Sequence, residues 1–134
     1  MSGETILVVD DNTVNLKLAW AVLKKRNYEV YTAEDAIEAL AVLKTIQPDL
    51  ILMDIQLPGM DGLELTRLLK SQPATRDIII VALTAYAMKG DEQKAKEAGC
   101  DGYITKPISA RTLIQSLSPF LVGTKSGTQQ SSGL

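Results

Sequence analysis

Apolar residues follow two alternating rhythms along this chain. Ile6-Leu7-Val8-Val9, Leu50-Ile51-Leu52-Met53 and Ile78-Ile79-Ile80-Val81-Ala82-Leu83 are unbroken runs. With no polar face, they read as strands buried on both sides in a parallel sheet. Tyr28 to Thr32 and Gly102 to Thr105 are weaker strand candidates and bring the total to five. Between the strands the spacing changes to that of helices. Leu16, Ala19, Trp20 and Leu23 recur at i, i+3, i+4 and i+7, which predicts one apolar helix face. Asn12 or Thr13 can cap this first helix, and Lys24, Lys25 and Arg26 suit its C-terminal end. In the second helix Ile37, Leu40, Ala41 and Leu43 are expected to point inward. Thr32-Ala33-Glu34-Asp35 would be its start, and Pro48 its end. A third helix covers about Leu63 to Ser71, with Leu65, Leu68 and Leu69 inward. The fourth, roughly Lys89 to Ala98, has a poor pattern, with Met88, Ala95 and Ala98 as its main apolar residues and Gly90 near its start. It should be the least firmly packed. The fifth runs about Ala110 to Leu121, with Leu113, Leu117 and Phe120 inward.

Strand and helix alternate five times with short connections. Such crossovers demand a mostly parallel sheet with helices on both faces. The expected architecture is α/β, a flavodoxin-like (βα)5 doubly wound sheet of strand order 2-1-3-4-5, with strands 1 and 3 flanking the switch point. At 134 residues a single domain is expected. Residues 1–122 form it, and 123–134, rich in Gly, Ser, Thr and Gln, form a disordered polar tail.

Composition narrows the function mainly by exclusion. The net charge of −2, with one Trp and one Phe, offers no general attraction to nucleic acid or anionic lipid. No apolar run is long enough to span a bilayer. The single Cys cannot form an internal disulfide, so a cytoplasmic setting is the default. Cys100 itself reads as a small buried hydrophobe rather than a nucleophile. Histidine is absent. That excludes histidine triads and histidine zinc sites, and places any phosphohistidine on another protein.

In this topology the carboxyl ends of strands 1, 3, 4 and 5 share one edge of the sheet. They carry Asp10 and Asp11, then Asp54, then Thr84, then Lys106. Three carboxylates gathered there repel one another. A hard dication such as Mg²⁺ resolves the conflict. Metal, ammonium and hydroxyl together suit a phosphoryl group in transfer, a step that depends on positioning and charge neutralisation. A carboxylate can be the acceptor, and Asp54 stands alone at the centre of the sheet facing the acidic pair. Each residue also has an ordinary reading. An Asp that ends a strand is usually a turn former or a cap, Thr84 a strand end, and Lys106 a solvated charge. On pattern alone, a functional site and a set of structural residues both remain open.

The stretches Val8-Val9-Asp10-Asp11-Asn12, Met53-Asp54-Ile55-Gln56-Leu57-Pro58-Gly59-Met60-Asp61-Gly62, Leu83-Thr84-Ala85 and Lys106-Pro107 resemble, in order and spacing, the receiver domain of two-component response regulators. The resemblance covers about residues 5 to 121. Ala87 to Glu92 and Gly99 to Ser109 resemble the DivK-like stand-alone regulators. Asp10 to Asn15 is also similar to receivers attached to hybrid histidine kinases, so a receiver excised from such a kinase is an alternative. The resemblance implies that Asp54 accepts a phosphoryl group from the phosphohistidine of a histidine kinase or histidine phosphotransfer protein. It implies that Asp11, Asp54 and the backbone carbonyl of Gln56 ligate Mg²⁺, with Asp10 acting mainly through water. Thr84 and Lys106 would bind phosphoryl oxygens, and Tyr103 occupies the switch-aromatic position. The Lys106–Pro107 bond would be cis. Gln56 and Tyr86 stand where the family tunes phosphoryl lifetime, and bulky Tyr86 would slow hydrolysis. Asn15 and Leu18 are guesses for contacts with the phosphodonor. The implied function is a signalling switch, not an enzyme with a substrate of its own. Its helix 4–strand 5–helix 5 face would address a downstream protein, as a monomer or as a dimer formed on phosphorylation.

Two other readings use similar chemistry. A haloacid-dehalogenase-like phosphohydrolase also combines an Asp nucleophile, Mg²⁺, Thr and Lys. Its nucleophile, however, ends strand 1 with a second acid two residues later, whereas Asp10 and Asp11 are adjacent and residue 12 is Asn. A flavin carrier would need a phosphate cradle where this chain is acidic.

Overall fold

The computed structural model describes residues 4–84, 91–105 and 109–121. Five strands alternate with five helices: β1 (Thr5–Val9), α1 (Thr13–Lys25), β2 (Glu29–Ala33), α2 (Ala36–Leu43), β3 (Leu50–Asp54), α3 (Gly62–Lys70), β4 (Ile79–Thr84), α4 (Asp91–Ala98), β5 (Gly102–Thr105) and α5 (Ala110–Leu121). The strands form one parallel sheet in the order β2-β1-β3-β4-β5, as expected. Met88, Gly90, the polar tail 123–134 and the Lys106–Pro107 bond lie outside the described residues.

The unbroken apolar runs are buried on both sides because successive side chains enter opposite layers. Ile6, Val8, Leu50 and Leu52 join Leu16, Leu23, Leu113 and Leu117 on the α1 and α5 side. Leu7, Val9, Ile51 and Met53 join Ala36, Ala39, Leu65 and Leu69 on the α2 and α3 side. All eight of these β1 and β3 side chains are sealed from solvent. Burying each one contributes about 1.5–3 kcal/mol.

Two helix faces differ from the periodicity reading. Trp20 is 47% exposed, while Leu16, Ala19 and Leu23 turn inward. The stripe is narrower than the four-residue pattern suggested, and the Lys24 ammonium stands 5.9 Å from the Trp20 ring centre. In α2 the large residue Ile37 is 79% exposed, and the small Ala36 and Ala39 are buried instead. A helix lying close against a sheet has room for methyl groups there. The start of α2 is also displaced. Asp35, not Thr32, is the cap, accepting from the Glu38 amide at 2.8 Å. The helix ends at Leu43, before Pro48. In α5, Phe120 is half-buried and lies over Gly102, where an added Cβ would stand 2.6 Å from its ring.

The helix ends are held by local chemistry. Asn12 caps α1 with its side-chain oxygen, accepting from the Val14 and Asn15 amides. Asn27 (φ 69°) and Gly99 (φ 107°) end α1 and α4 in the left-handed conformation. In each case that residue's own amide and the next one bond back into the last turn: Asn27 to Lys24 and Tyr28 to Leu23, Gly99 to Lys96 and Cys100 to Ala95. This is the Schellman closure.

Candidate functional site

The parallel register sets the site. Val9 pairs with Met53, so Asp10 and Asp54 follow side by side at the carboxyl ends of the two central strands. Asp54 in turn pairs with Leu83, one residue short of Thr84. Asp10 is 0% exposed, Asp54 and Thr84 are each 1% exposed, and Asp11 faces solvent. Carboxylate oxygens of Asp10, Asp11 and Asp54 all lie within 4.8 Å of one another. Among the described residues they form the one cluster of three acidic side chains close enough to share a cation.

Two matching turns aim the buried carboxylates. Asp10 Oδ1 accepts from the Asn12 amide at 2.9 Å, and Asp54 Oδ1 accepts from the Gln56 amide at 2.9 Å. Each is an Asp bonding the backbone two residues on, a turn that stops the strand. The structural reading of these acids is therefore correct as far as it goes. They are turn formers, and they are also brought together. Asn15 donates from its side-chain amide to Asp10 Oδ2 at 3.2 Å. Asn15, a candidate for donor contacts, thus holds an acid of the cluster. Leu18 is half-buried against the α1–α5 core layer. Gln56 presents its side chain to solvent, and Tyr103 is half-buried in β5 beside Ala82. Lys106 and Tyr86 lie outside the described residues.

Donors made only of carboxylate oxygen suit a small hard cation. Mg²⁺ is usually held by one or two carboxylates with water and phosphate completing its shell. The residues present fit that group. A buried carboxylate ending a central strand, beside two more acids and a buried hydroxyl, can receive an electrophile once its charge is balanced.

One functional candidate escaped the sequence reading. Gly62, the first residue of α3, lies directly against the Asp54–Ile55 peptide. Its neighbour Asp61 makes a reciprocal cap with Glu64, Glu64 N to Asp61 Oδ1 at 2.8 Å and Asp61 N to Glu64 Oε1 at 3.1 Å. The Asp61-Gly62-x-Glu64 spacing could have shown the cap. Nothing local could have shown the contact with Asp54.

Comparisons with known proteins agree on one family. The family model described as response regulator receiver domain matches residues 6–118. The polar-differentiation response regulator DivK of Brucella anthropi is 42% identical over 118 residues, covering 88% of this chain and 96% of that protein. The chemotaxis response regulator CheY4 of Vibrio cholerae superposes with a TM-score of 0.84 at 30% identity, over 89% of this chain and 99% of that one. The receiver domain of the sensor histidine kinase PA1611 of Pseudomonas aeruginosa PAO1 superposes with a TM-score of 0.79 at 36% identity, over 88% and 97%. That structure is described with a magnesium ion coordinated in the active site cleft.

Proposed function

The chain belongs to the response regulator receiver domain family, and from that premise we propose that it is a phosphorylation switch whose acceptor is Asp54. The observation that carries the proposal is the placement of Asp54. It is buried, ends the central strand β3, and has a carboxylate oxygen within 4.8 Å of oxygens from both Asp10 and Asp11. A carboxylate oxygen of Asp54 attacks the phosphorus of a phosphohistidine on a histidine kinase or phosphotransfer protein. The phosphorus–nitrogen bond breaks, and the partner's imidazole leaves with the electron pair.

Asp10, Asp11, Asp54 and the Gln56 carbonyl would hold Mg²⁺, which when bound offsets charge on the phosphoryl oxygens. The Thr84 hydroxyl, buried at the end of β4, donates to one of those oxygens, and the Lys106 ammonium pairs with another. In this reading the chain is a signalling protein of the cytoplasm whose chemistry is the transfer from its donor to Asp54. Among the described residues no helix is long and apolar enough to cross a membrane.

The output surface would be α4, β5 and α5, with Tyr103 as the moving aromatic. Of the α4 side chains from Glu92 to Ala98, only Ala95 and Ala98 are buried. A helix held by two methyl groups is a natural low-stability segment for a population shift.

The test is incubation with acetyl phosphate and Mg²⁺, read by intact mass beside Asp54→Asn. A metal-dependent gain of one phosphoryl group in the wild type, absent in Asp54→Asn, is expected. No gain in the folded wild type, or an equal gain in the variant, overturns the assignment.

A further inference from the structure

The loop after β3 contains two glycines whose surroundings differ completely. Gly59 has a φ of +76° and nothing within 4 Å of the position a Cβ would take. It serves the backbone conformation. Gly62 is not among the positive-φ residues, so conformation does not explain it. Space does. A Cβ on Gly62 would overlap the Asp54 carbonyl oxygen and stand 2.8 Å from Ile55 Cα. These are backbone atoms, which cannot swing aside as a flexible side chain can.

The contact is fixed from both sides. Gly62 N donates to the Ile55 carbonyl at 3.2 Å. The Gly62 carbonyl accepts from the hydroxyl of Thr66, a fully buried residue one turn along α3, at 2.8 Å. On the far side of the Asp54–Ile55 peptide, Ile55 N donates to the Leu83 carbonyl at 3.0 Å. The peptide is thus clamped between β4 and the first turn of α3.

We propose that Gly62, supported by Thr66, is a positioning residue for phosphoryl transfer: it sets where the Asp54–Ile55–Gln56 backbone stands, and so where the acceptor carboxylate and the Gln56 carbonyl point. The inference rests on Asp54 being the acceptor. Its logic is that of an outer shell. Gly62 would touch neither metal nor phosphoryl group, yet a displacement of the Asp54–Ile55 peptide would reach both through the Asp54 carboxylate and the Gln56 carbonyl. Loss of such support typically weakens metal binding about 10- to 100-fold.

The experiment compares Gly62→Ala with Gly59→Ala, and Thr66→Val with Thr66→Ser. Each is read by melting temperature, by Mg²⁺ affinity from the backbone amide signals of Ile55 and Gln56, and by the rate of phosphorylation with acetyl phosphate. Gly59→Ala should lower the melting temperature by roughly 4 °C through backbone strain and leave Mg²⁺ affinity and rate within twofold. Gly62→Ala should weaken Mg²⁺ binding at least about tenfold and slow phosphorylation as much. Thr66→Val, which adds no bulk, should weaken Mg²⁺ binding about threefold, and Thr66→Ser should restore it. A Gly62→Ala protein that folds, binds Mg²⁺ and accepts phosphate as the wild type does overturns the proposal. If Gly62→Ala does not fold, unchanged Mg²⁺ affinity in Thr66→Val overturns it. A wild type that gains no phosphate defeats the assignment of Asp54 instead, while the metal titration still shows whether Gly62 places the Gln56 backbone.

Discussion

The two ends of the sheet use aspartate in opposite ways. At the amino end, Asp49 precedes β3 and Asp101 precedes β5. Asp49 Oδ2 accepts the amide of Thr5 in β1 at 2.8 Å, and Asp101 Oδ2 accepts the amide of Ile80 in β4 at 2.9 Å. Each acid starts one strand and ties down the beginning of the next. Asp101 also receives the Lys70 ammonium at 3.0 Å, and Lys70 donates to the Arg76 and Ile78 carbonyls as well. At the carboxyl end, Asp10 and Asp54 close their strands, and there acid is set beside acid. One end matches charge with fixed groups of the chain and gains rigidity. The other brings three carboxylates within 4.8 Å of one another, an arrangement that suits a bound cation. The same residue type is structural or functional according to which edge of a parallel sheet it occupies.

That contrast can be broken most severely at the amino end. Asp101→Ala leaves the Ile80 amide and the half-buried Lys70 ammonium without this partner, and should destabilise the fold by about 2 kcal/mol in urea unfolding. Phosphorylation of the variant at a temperature where it is folded should be unchanged. A loss of phosphate uptake with full stability would reverse the roles of the two ends. A smaller effect of opposite sign is expected at the other end. Asp54→Asn relieves like-charge repulsion and should raise stability in metal-free buffer by about 1 kcal/mol. Mg²⁺ should raise the melting temperature of the wild type by mass action and have much less effect on that of the variant. Equal Mg²⁺ responses would mean the ion does not bind at this cluster.

The smallest effect concerns Cys100, beside Asp101 in the connection from α4 to β5 and packed against the α2–α3 layer. Burial pushes its thiol up from the ordinary value, and the Thr66 hydroxyl at 4.0 Å partly opposes this. A thiol raised in the folded state stays neutral after the unfolded chain has begun to ionise. Its contribution to stability is therefore complete below the ordinary thiol range and declines as pH rises through it. Alkylation at pH 8 should be slower than for a free cysteine by about tenfold, and Cys100→Ser should flatten the alkaline fall in stability.

Much of this was legible in the sequence, and the omissions have physical causes. β1, β3 and β4 announced themselves because a strand covered on both faces admits almost no polar residue. Asp54 was legible as the residue where such a run stops. Trp20 and Ile37 were misplaced because periodicity locates an apolar stripe but not its width, nor the closeness of the sheet that favours Ala36 and Ala39. The pairing of Lys70 with Asp101 joins residues from α3 and the start of β5, beyond any local pattern. Gly62 looked like one more loop glycine, since its partner is a peptide eight positions earlier.

The sheet's outer borders carry a further consequence. β2 and β5 each have one neighbouring strand. Border strands are where chains stick to one another and grow into aggregates. β5 is four residues long, and the Phe120 ring lies over its first residue. β2 begins with an exposed Glu29, whose carboxylate takes the Tyr31 hydroxyl at 3.0 Å. A short, capped border and a charged one leave little template for another chain to copy. In a crowded cell, such borders keep the domain from growing into a sheet with its own copies.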